Sequence, residues 1–307
     1  MPTILVTGGE GTIGTPLVDS LTKQGNRVFV CGPFHSYKDN YFRCDVSEYR
    51  QLERLFDKIG PVDYVYHLAA EFGRNNGEDY YEQLWNTNVV GTKHMIRLQE
   101  KLDFKMIFAS SSEIYGELPE GVPYKEDTPF KYSLRHYNDY AMSKWVNEQQ
   151  IRNSIEQNGT KTMILRFFNA YGPGEYYHPY RSVVCLFIYK ALTKQKLTVY
   201  QGYHRVFQYI DDFIATLGTC YKHFKSNEIY NVGGREYNST EELADKIIKL
   251  LNLNRSIVDL VPKEKANVVN KRPDISKAER DLGHNPATTL DVGLPKTIEW
   301  MKKVYGF

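Results

Sequence analysis

Short apolar runs alternate with amphipathic stretches through the first half of the chain. Thr3–Val6, Arg27–Cys31, Tyr64–Leu68 and Met106–Ala109 are rich in Val, Ile, Leu and aromatic residues and short enough to read as buried strands. Between them Pro16–Gln24, Glu48–Ile59 and a stretch ending at Lys101 place their apolar residues at helical spacing. Strand, helix and strand repeated in this way predict a parallel sheet with helices on both faces. A helix from about Asn138 to Asn158 and a strand at Lys161–Arg166 continue the series. Beyond Phe168 the pattern becomes irregular, with one helix near Arg181–Thr193 and a short strand at Leu197–Tyr200. Ser239-Thr-Glu-Glu242 reads as a capping box, opening a helix that shows Leu243, Ile247, Leu250 and Leu251 on one face. A last amphipathic helix carries Leu294, Ile298 and Met301. We therefore expect a doubly wound α/β domain over residues 1–168, with a returning segment near 200–228, and a smaller α+β lobe over most of 169–307.

Composition narrows the class of protein. Lys+Arg of 39 against Asp+Glu of 37 leaves a net charge of +2, so no global field points to nucleic acid or a membrane surface. No apolar run approaches the roughly 18 to 20 residues that span a bilayer. The first residues run directly into a strand without the basic flank of a signal peptide, which predicts a cytoplasmic protein. Cys31, Cys44, Cys185 and Cys220 have no paired spacing, so buried free thiols are expected and neither a disulfide framework nor a metal site. Tyrosine, at 24 residues, is abundant enough for clusters such as Tyr176-Tyr-His-Pro-Tyr180 to line a pocket.

The first chemistry lies in Val6-Thr-Gly-Gly-Glu-Gly-Thr-Ile-Gly14. Gly8, Gly11 and Gly14 fall between the first strand and the first helix, where glycine lets backbone approach a pyrophosphate and the helix offers free N–H groups. This is the context of a Rossmann-type dinucleotide site. An acid that would read the adenosine ribose is missing at the end of strand two, where Gly32 stands. His35, Ser36 and Lys38 follow, so the cofactor is NAD or NADP, with neither excluded. Asp45 suits two roles, acceptor for the adenine amino group and turn-forming cap.

The second lies at the end of the fourth run. Ser110-Ser-Ser-Glu-Ile-Tyr-Gly116 brings hydroxyls, a carboxylate and a phenol to a strand's carboxyl end. Tyr140-Ala-Met-Ser-Lys144 sets Tyr and Lys one helical turn apart on one face, and an ammonium beside a phenol is expected to depress its pKa and make it a general base.

Together these motifs resemble the extended short-chain dehydrogenase/reductases that act as nucleotide-sugar epimerases and dehydratases. The resemblance rests on Thr7–Gly14, His67-Leu-Ala-Ala70, Asn88-Val-Val-Gly-Thr92, Ser110–Gly116, Tyr140–Lys144, Arg166-Phe-Phe-Asn-Ala-Tyr-Gly-Pro173, Gly202–Asp212, Tyr230–Gly234 and Arg272-Pro-Asp274. It implies tightly bound NAD or NADP, and oxidation at C4 of a nucleoside-diphosphate hexose to a 4-keto sugar. Tyr140 would take the C4 hydroxyl proton, Lys144 would bind the nicotinamide ribose, and Ser111 would complete the proton path. Thr12, Ile13, Val46, Leu68, Ala69, Ala70, Asn88 and Phe167 would join the glycines, His35 and Asp45 around the cofactor. Ser112, Asn169, Arg181, Arg205 and Arg272 would meet the substrate, although salt bridges are an alternative reading of Arg205 and Arg272. Glu113 resembles the carboxylate of 4,6-dehydratases and UDP-glucuronate decarboxylases rather than a bare 4-epimerase, whereas the chain length resembles epimerases and decarboxylases. A C4 dehydrogenase that releases the keto sugar, and a non-catalytic dinucleotide-binding protein, are the other readings. The loop Glu71–Asn76 and the segment Tyr176–Arg181 would face the sugar. The helical stretches Tyr80–Gln99 and Tyr140–Gln157 would form the seam of a homodimer.

Overall fold

The computed structural model describes residues 1–119, 122–264 and 267–307. Its main sheet is built from the runs identified above: β1 (Thr3–Thr7), β2 (Arg27–Gly32), β3 (Tyr41–Arg43), β4 (Tyr64–His67), β5 (Lys105–Ser111), β6 (Lys161–Phe167) and the strand Ile229–Val232. Their order across the sheet is β3-β2-β1-β4-β5-β6 followed by Ile229–Val232. The β1–β2, β1–β4, β2–β3 and β4–β5 pairings are all parallel. This is the Rossmann-type doubly wound order, in which the chain winds outward in both directions from β1. Parallel strands covered on both faces must be apolar throughout, and Ile4, Leu5 and Val6 of β1 are completely buried.

Helices α1 (Gly14–Lys23) and α2 (Tyr49–Ile59) follow β1 and β3. The amphipathic face of α2, carrying Leu52, Leu55, Phe56 and Ile59, packs into a core with Leu5, Val65, Met106 and Phe108. The helical stretch that the sequence shows as continuous up to Lys101 is divided in the fold. It comprises α3 (Arg74–Asp79), α4 (Tyr81–Trp85), one π-helical turn at Asn86–Val90, and α5 (Gly91–Leu102). The 20-residue α6 (Asp139–Asn158) starts where Asn138 accepts the Ala141 N–H at 2.8 Å, and stops at Gly159 in a left-handed conformation.

The chain divides into two compact units. The first comprises Met1–Ile114, His136–Arg166 and Ile214–Tyr230. The second comprises Tyr115–Arg135, Phe167–Phe213 and Asn231–Phe307. Within the second, α7 (Val183–Leu192), α8 (Thr240–Leu250) and α9 (Leu290–Tyr305) pack on one another. Its strands are short: Ala170–Tyr171 pairs with Gln208–Tyr209, Val258–Val261 with Leu197–Tyr200, and His204–Val206 with both Tyr237–Ser239 and Asn270–Lys271. The Ser239–Glu242 capping box is formed in full. All four cysteines are buried and free. Among the described residues no helix is long and apolar enough to cross a membrane.

Candidate active site

The carboxyl ends of β1, β4 and β5 bring the glycine loop, His67 and Ser111 to one edge of the sheet. In a doubly wound sheet this edge, at the strands where the winding reverses, is where ligands bind. The glycine loop turns at Gly8, whose φ is +67°, and the Gly11 N–H closes the turn on the Gly8 carbonyl at 3.0 Å. A Cβ on Gly14 would come within 2.3 Å of that carbonyl, and one on Gly9 within 2.6 Å of Val30. At Gly14 the space a side chain would fill is therefore taken by the backbone of the loop, and at Gly9 by the Val30 side chain. Helix α1 has no side-chain cap and no acid in its first turn; its Thr15 and Leu17 N–H groups donate to the Gly11 and Ile13 carbonyls, so what it offers an anion is chiefly its positive dipole end. These residues fit a dinucleotide pyrophosphate.

At the end of β2, a Cβ on Gly32 would lie 3.0 Å from the Tyr41 hydroxyl, which donates to the Phe34 carbonyl at 2.6 Å. Tyr41 thus takes up space that a longer residue at position 32 would need. His35 packs on Tyr37 with ring centroids 4.7 Å apart, and Lys38 reaches Glu10 of the glycine loop at 3.7 Å. Asp45 accepts the Ser47 N–H at 2.9 Å and the Ser47 hydroxyl at 2.7 Å, so one of its two proposed roles, the turn-forming cap, is realised. Val46 packs on Gly91, where a Cβ would approach it to 2.8 Å.

His67 joins β1 to α5: its ring nitrogens lie 2.8 Å from the Thr7 hydroxyl and 3.2 Å from that of Thr92. Leu68, Ala69 and Ala70 continue from it, and the Leu68 and Ala69 N–H groups both donate to Thr7. Asn88 sits in the π-helical turn with its amide engaged by protein. It accepts from the Glu71 N–H and donates to the Glu71 carbonyl and to Ser143, which in turn donates to the Tyr140 carbonyl. Its position ties the loop after β4 to the first turn of α6.

Ser111, Tyr140 and Lys144 do come together. The Ser111 hydroxyl lies close enough to the Tyr140 phenol to favour its ionised form, and accepts the Glu113 N–H at 3.2 Å. Lys144, almost completely buried, donates to the Ala109 carbonyl at 2.8 Å, with its ammonium 5.1 Å from the Phe108 ring centre and 6.0 Å from that of Tyr140. Ser112 is buried beside them. The expected depression of the phenol is not what this arrangement produces. Burial pushes the Tyr140 phenol up to about 12; Ser111 opposes this and the charge of Glu113 adds to it. Burial likewise pushes Lys144 down to about 8, opposed by Glu148. Desolvation is the largest cause of both shifts, and the ammonium is turned toward a backbone carbonyl.

The other candidate residues belong to the second unit. Phe167 packs edge-on against Phe213. Asn169 has a φ of +23° and donates its amide to the Val206 carbonyl at 3.1 Å, while its own carbonyl accepts the Gln208 N–H. Arg181 donates to the Tyr176 carbonyl at 3.1 Å. Arg205 and Arg272 come together at Tyr237: burial raises its phenol above the ordinary value, and both guanidinium charges oppose that rise. Arg272 lies 5.5 Å over that ring, whereas Arg205 also donates to the carbonyls of His204, Val268 and Val269.

The sequence pattern did not single out the residues behind the site. Glu148 and Arg166 form a completely buried ion pair, and Ser110 bonds to the same carboxylate. Glu148 follows Lys144 by the same four positions that separate Lys144 from Tyr140, and that spacing was the available signal.

Residues 4–233 match the model of the NAD dependent epimerase/dehydratase family. Among characterised proteins, the chain is 29% identical to a UDP-N-acetyl-alpha-D-glucosaminuronate decarboxylase of Bacillus cytotoxicus, over 98% of each chain. It is 30% identical to UDP-glucuronic acid decarboxylase 1 of Danio rerio, over 98% of this chain and 72% of that one. It is 27% identical to a dTDP-glucose 4,6-dehydratase of Salmonella typhimurium, over 97% and 92%. Among solved structures, a UDP-glucose 4-epimerase of Thermotoga maritima, solved with UDP-glucose, superposes with a TM-score of 0.89 at 26% identity, over 99% of both chains. A UDP-glucose 4-epimerase of Thermus thermophilus, solved with NAD, gives 0.86 at 25% identity, over 98% and 99%.

Proposed function

Because the chain belongs to the NAD dependent epimerase/dehydratase family, we propose that it decarboxylates a nucleoside-diphosphate uronic acid by way of a 4-keto sugar. Its general chemistry is NAD(P)-dependent oxidoreduction at C4 of a nucleotide sugar, carried out by an enzyme of the short-chain dehydrogenase/reductase type. The observation that carries the finer reading is Glu113, close enough to Tyr140 for its charge to act on the phenol and joined through its N–H to Ser111.

The glycine loop and the start of α1 would hold the cofactor's pyrophosphate, and Lys144 its nicotinamide ribose. When bound, the oxidised nicotinamide would supply the hydride acceptor and a positive charge that favours the tyrosinate against the cost of burial. Tyr140 then accepts the proton of the C4 hydroxyl, with Ser111 hydrogen-bonded to the phenol oxygen as it takes on charge. The resulting ketone lies β to the C6 carboxylate of a uronic acid. As the C5–C6 bond breaks and carbon dioxide leaves, the ketone accepts the electron pair as an enolate. Glu113, having taken a proton from solvent, delivers it to C5, and Tyr140 returns its proton to the C4 oxygen as the ketone is reduced, which closes the cycle. The decarboxylases at 29% and 30% identity, aligned along 98% of this chain, support this choice of second step.

A second reading, elimination of water across C5 and C6, is favoured by the Ser112-Glu113 pair that resembles the dehydratase motif and by the 27% identical dehydratase. Incubating the purified protein with UDP-, GDP-, dTDP- and CDP-linked hexoses and hexuronic acids, and reading product masses, tests both. We expect a uronic acid to lose carbon dioxide, and Tyr140→Phe to lose about a thousandfold in kcat. A neutral hexose that loses water supports the second reading instead. Unchanged mass with altered retention would indicate epimerisation and overturn both.

A further inference from the structure

Behind the proposed catalytic residues lies a second layer of chemistry that the reaction itself does not use. Tyr140, Lys144 and Glu148 lie one turn apart along the same face of α6. Glu148 is completely buried, and such a carboxylate remains ionised only where charge and hydrogen bonds compensate its desolvation. Both are present. Arg166 of β6, also completely buried, donates through Nε to one carboxylate oxygen at 3.0 Å and through Nη2 to the other at 2.8 Å. Ser110 of β5 donates its hydroxyl at 2.5 Å.

The consequence is geometric. The carboxylate holds Ser110, while the preceding residue, Ala109, accepts the Lys144 ammonium at 2.8 Å, and the next residue is Ser111. One helix face thus engages successive residues of β5 immediately before the strand presents Ser111 to Tyr140. An ammonium buried in this way would shed its proton readily if it faced only carbonyl and ring.

We propose that Glu148 is a positioning residue for Lys144: pinned by Arg166 and Ser110, it anchors α6 to β5 and supplies buried negative charge that keeps the ammonium protonated. The groups around Lys144 agree with this. His67 of β4 is held neutral by burial, with the Lys144 charge adding to the effect. Tyr140 on α6 is held protonated, Glu113 lies beyond it, and Arg166 is bonded to Glu148. The charge of Glu148 is what opposes the fall of Lys144 toward about 8.

This inference rests on the proposed placing of Lys144 in the active site, but its test requires neither cofactor turnover nor a known substrate. The whole protein is labelled with carbon-13 at lysine Cε, the Lys144 resonance is assigned with Lys144→Arg, and its titration is followed by NMR from about pH 5 to about pH 11. In Glu148→Gln the midpoint is expected to fall by about one unit or more, since a neutral amide replaces the anion and Arg166 is no longer neutralised. If that variant does not fold, Glu148→Met with Arg166→Met removes both charges together and is expected to shift the midpoint in the same direction. An unchanged or raised midpoint in a folded variant would overturn the proposal and leave Glu148 a purely structural anchor. Failure of the substrate panel with a downward Lys144 shift would instead count against the proposed function alone.

Discussion

Burial between Thr7 and Thr92 holds the His67 imidazole down to a pKa of about 3, against an ordinary 6.5. Between those values the unfolded chain binds a proton that the folded chain does not. Stability is therefore lost as pH falls below 6.5, at about 1.4 kcal/mol per pH unit from this residue until about pH 3. Urea unfolding at about pH 7 and about pH 5 should show wild type losing roughly 2 kcal/mol more than His67→Asn over that interval. Equal losses would mean that the ring is protonated at little cost in the fold. The same desolvation explains what was legible residue by residue. Spacing set Tyr140 and Lys144 on one face, because one helical turn suffices to place them, and the family resemblance added Ser111 at the strand end. The direction in which the phenol moves was not legible, since it depends on how deeply other segments bury it. Nor was the partner of Glu148, because Arg166 lies on a strand that only the folded sheet brings alongside β5.

At the scale of elements, the strand-to-helix turn at the glycine loop is the most demanding piece of backbone. A methyl group on Gly14 would meet the Gly8 carbonyl at 2.3 Å, so Gly14→Ala must open the turn against which α1 begins. Calorimetric titration of the variant with NAD and NADP should show at least a tenfold loss of affinity for whichever the native protein binds, a factor worth about 1.4 kcal/mol. Unchanged affinity would mean that the pyrophosphate does not lie on this turn. Long periodic elements were readable because their buried faces repeat: α2 and the runs of the main sheet are where the pattern puts them. The division of the stretch before Lys101 was not readable. Its π-helical turn is held by the contacts of Asn88 with Glu71 and Ser143, and such insertions leave no trace in hydrophobic period. The two- and three-residue strands of the second unit were missed for a related reason, since so short a segment has no period to read.

For the whole molecule, we propose a homodimer formed through the segments that carry α4, α5 and α6. Tyr80, Tyr81, Val90, Leu102 and Met142 in and beside these helices are all more than one-third exposed, an apolar load that a monomer would leave in water. Light scattering at micromolar concentration should give twice the chain mass of 35.7 kDa, and a strictly monomeric solution would refute the seam. The decisive chemistry is the step after oxidation at C4, and it is read most directly from a product formed in deuterium oxide. With a nucleoside-diphosphate uronic acid as substrate, the proposed mechanism requires a pentose product lighter by one carbon dioxide and carrying one deuterium at C5, delivered through Glu113. A product of unchanged mass with no deuterium at C5 would contradict it.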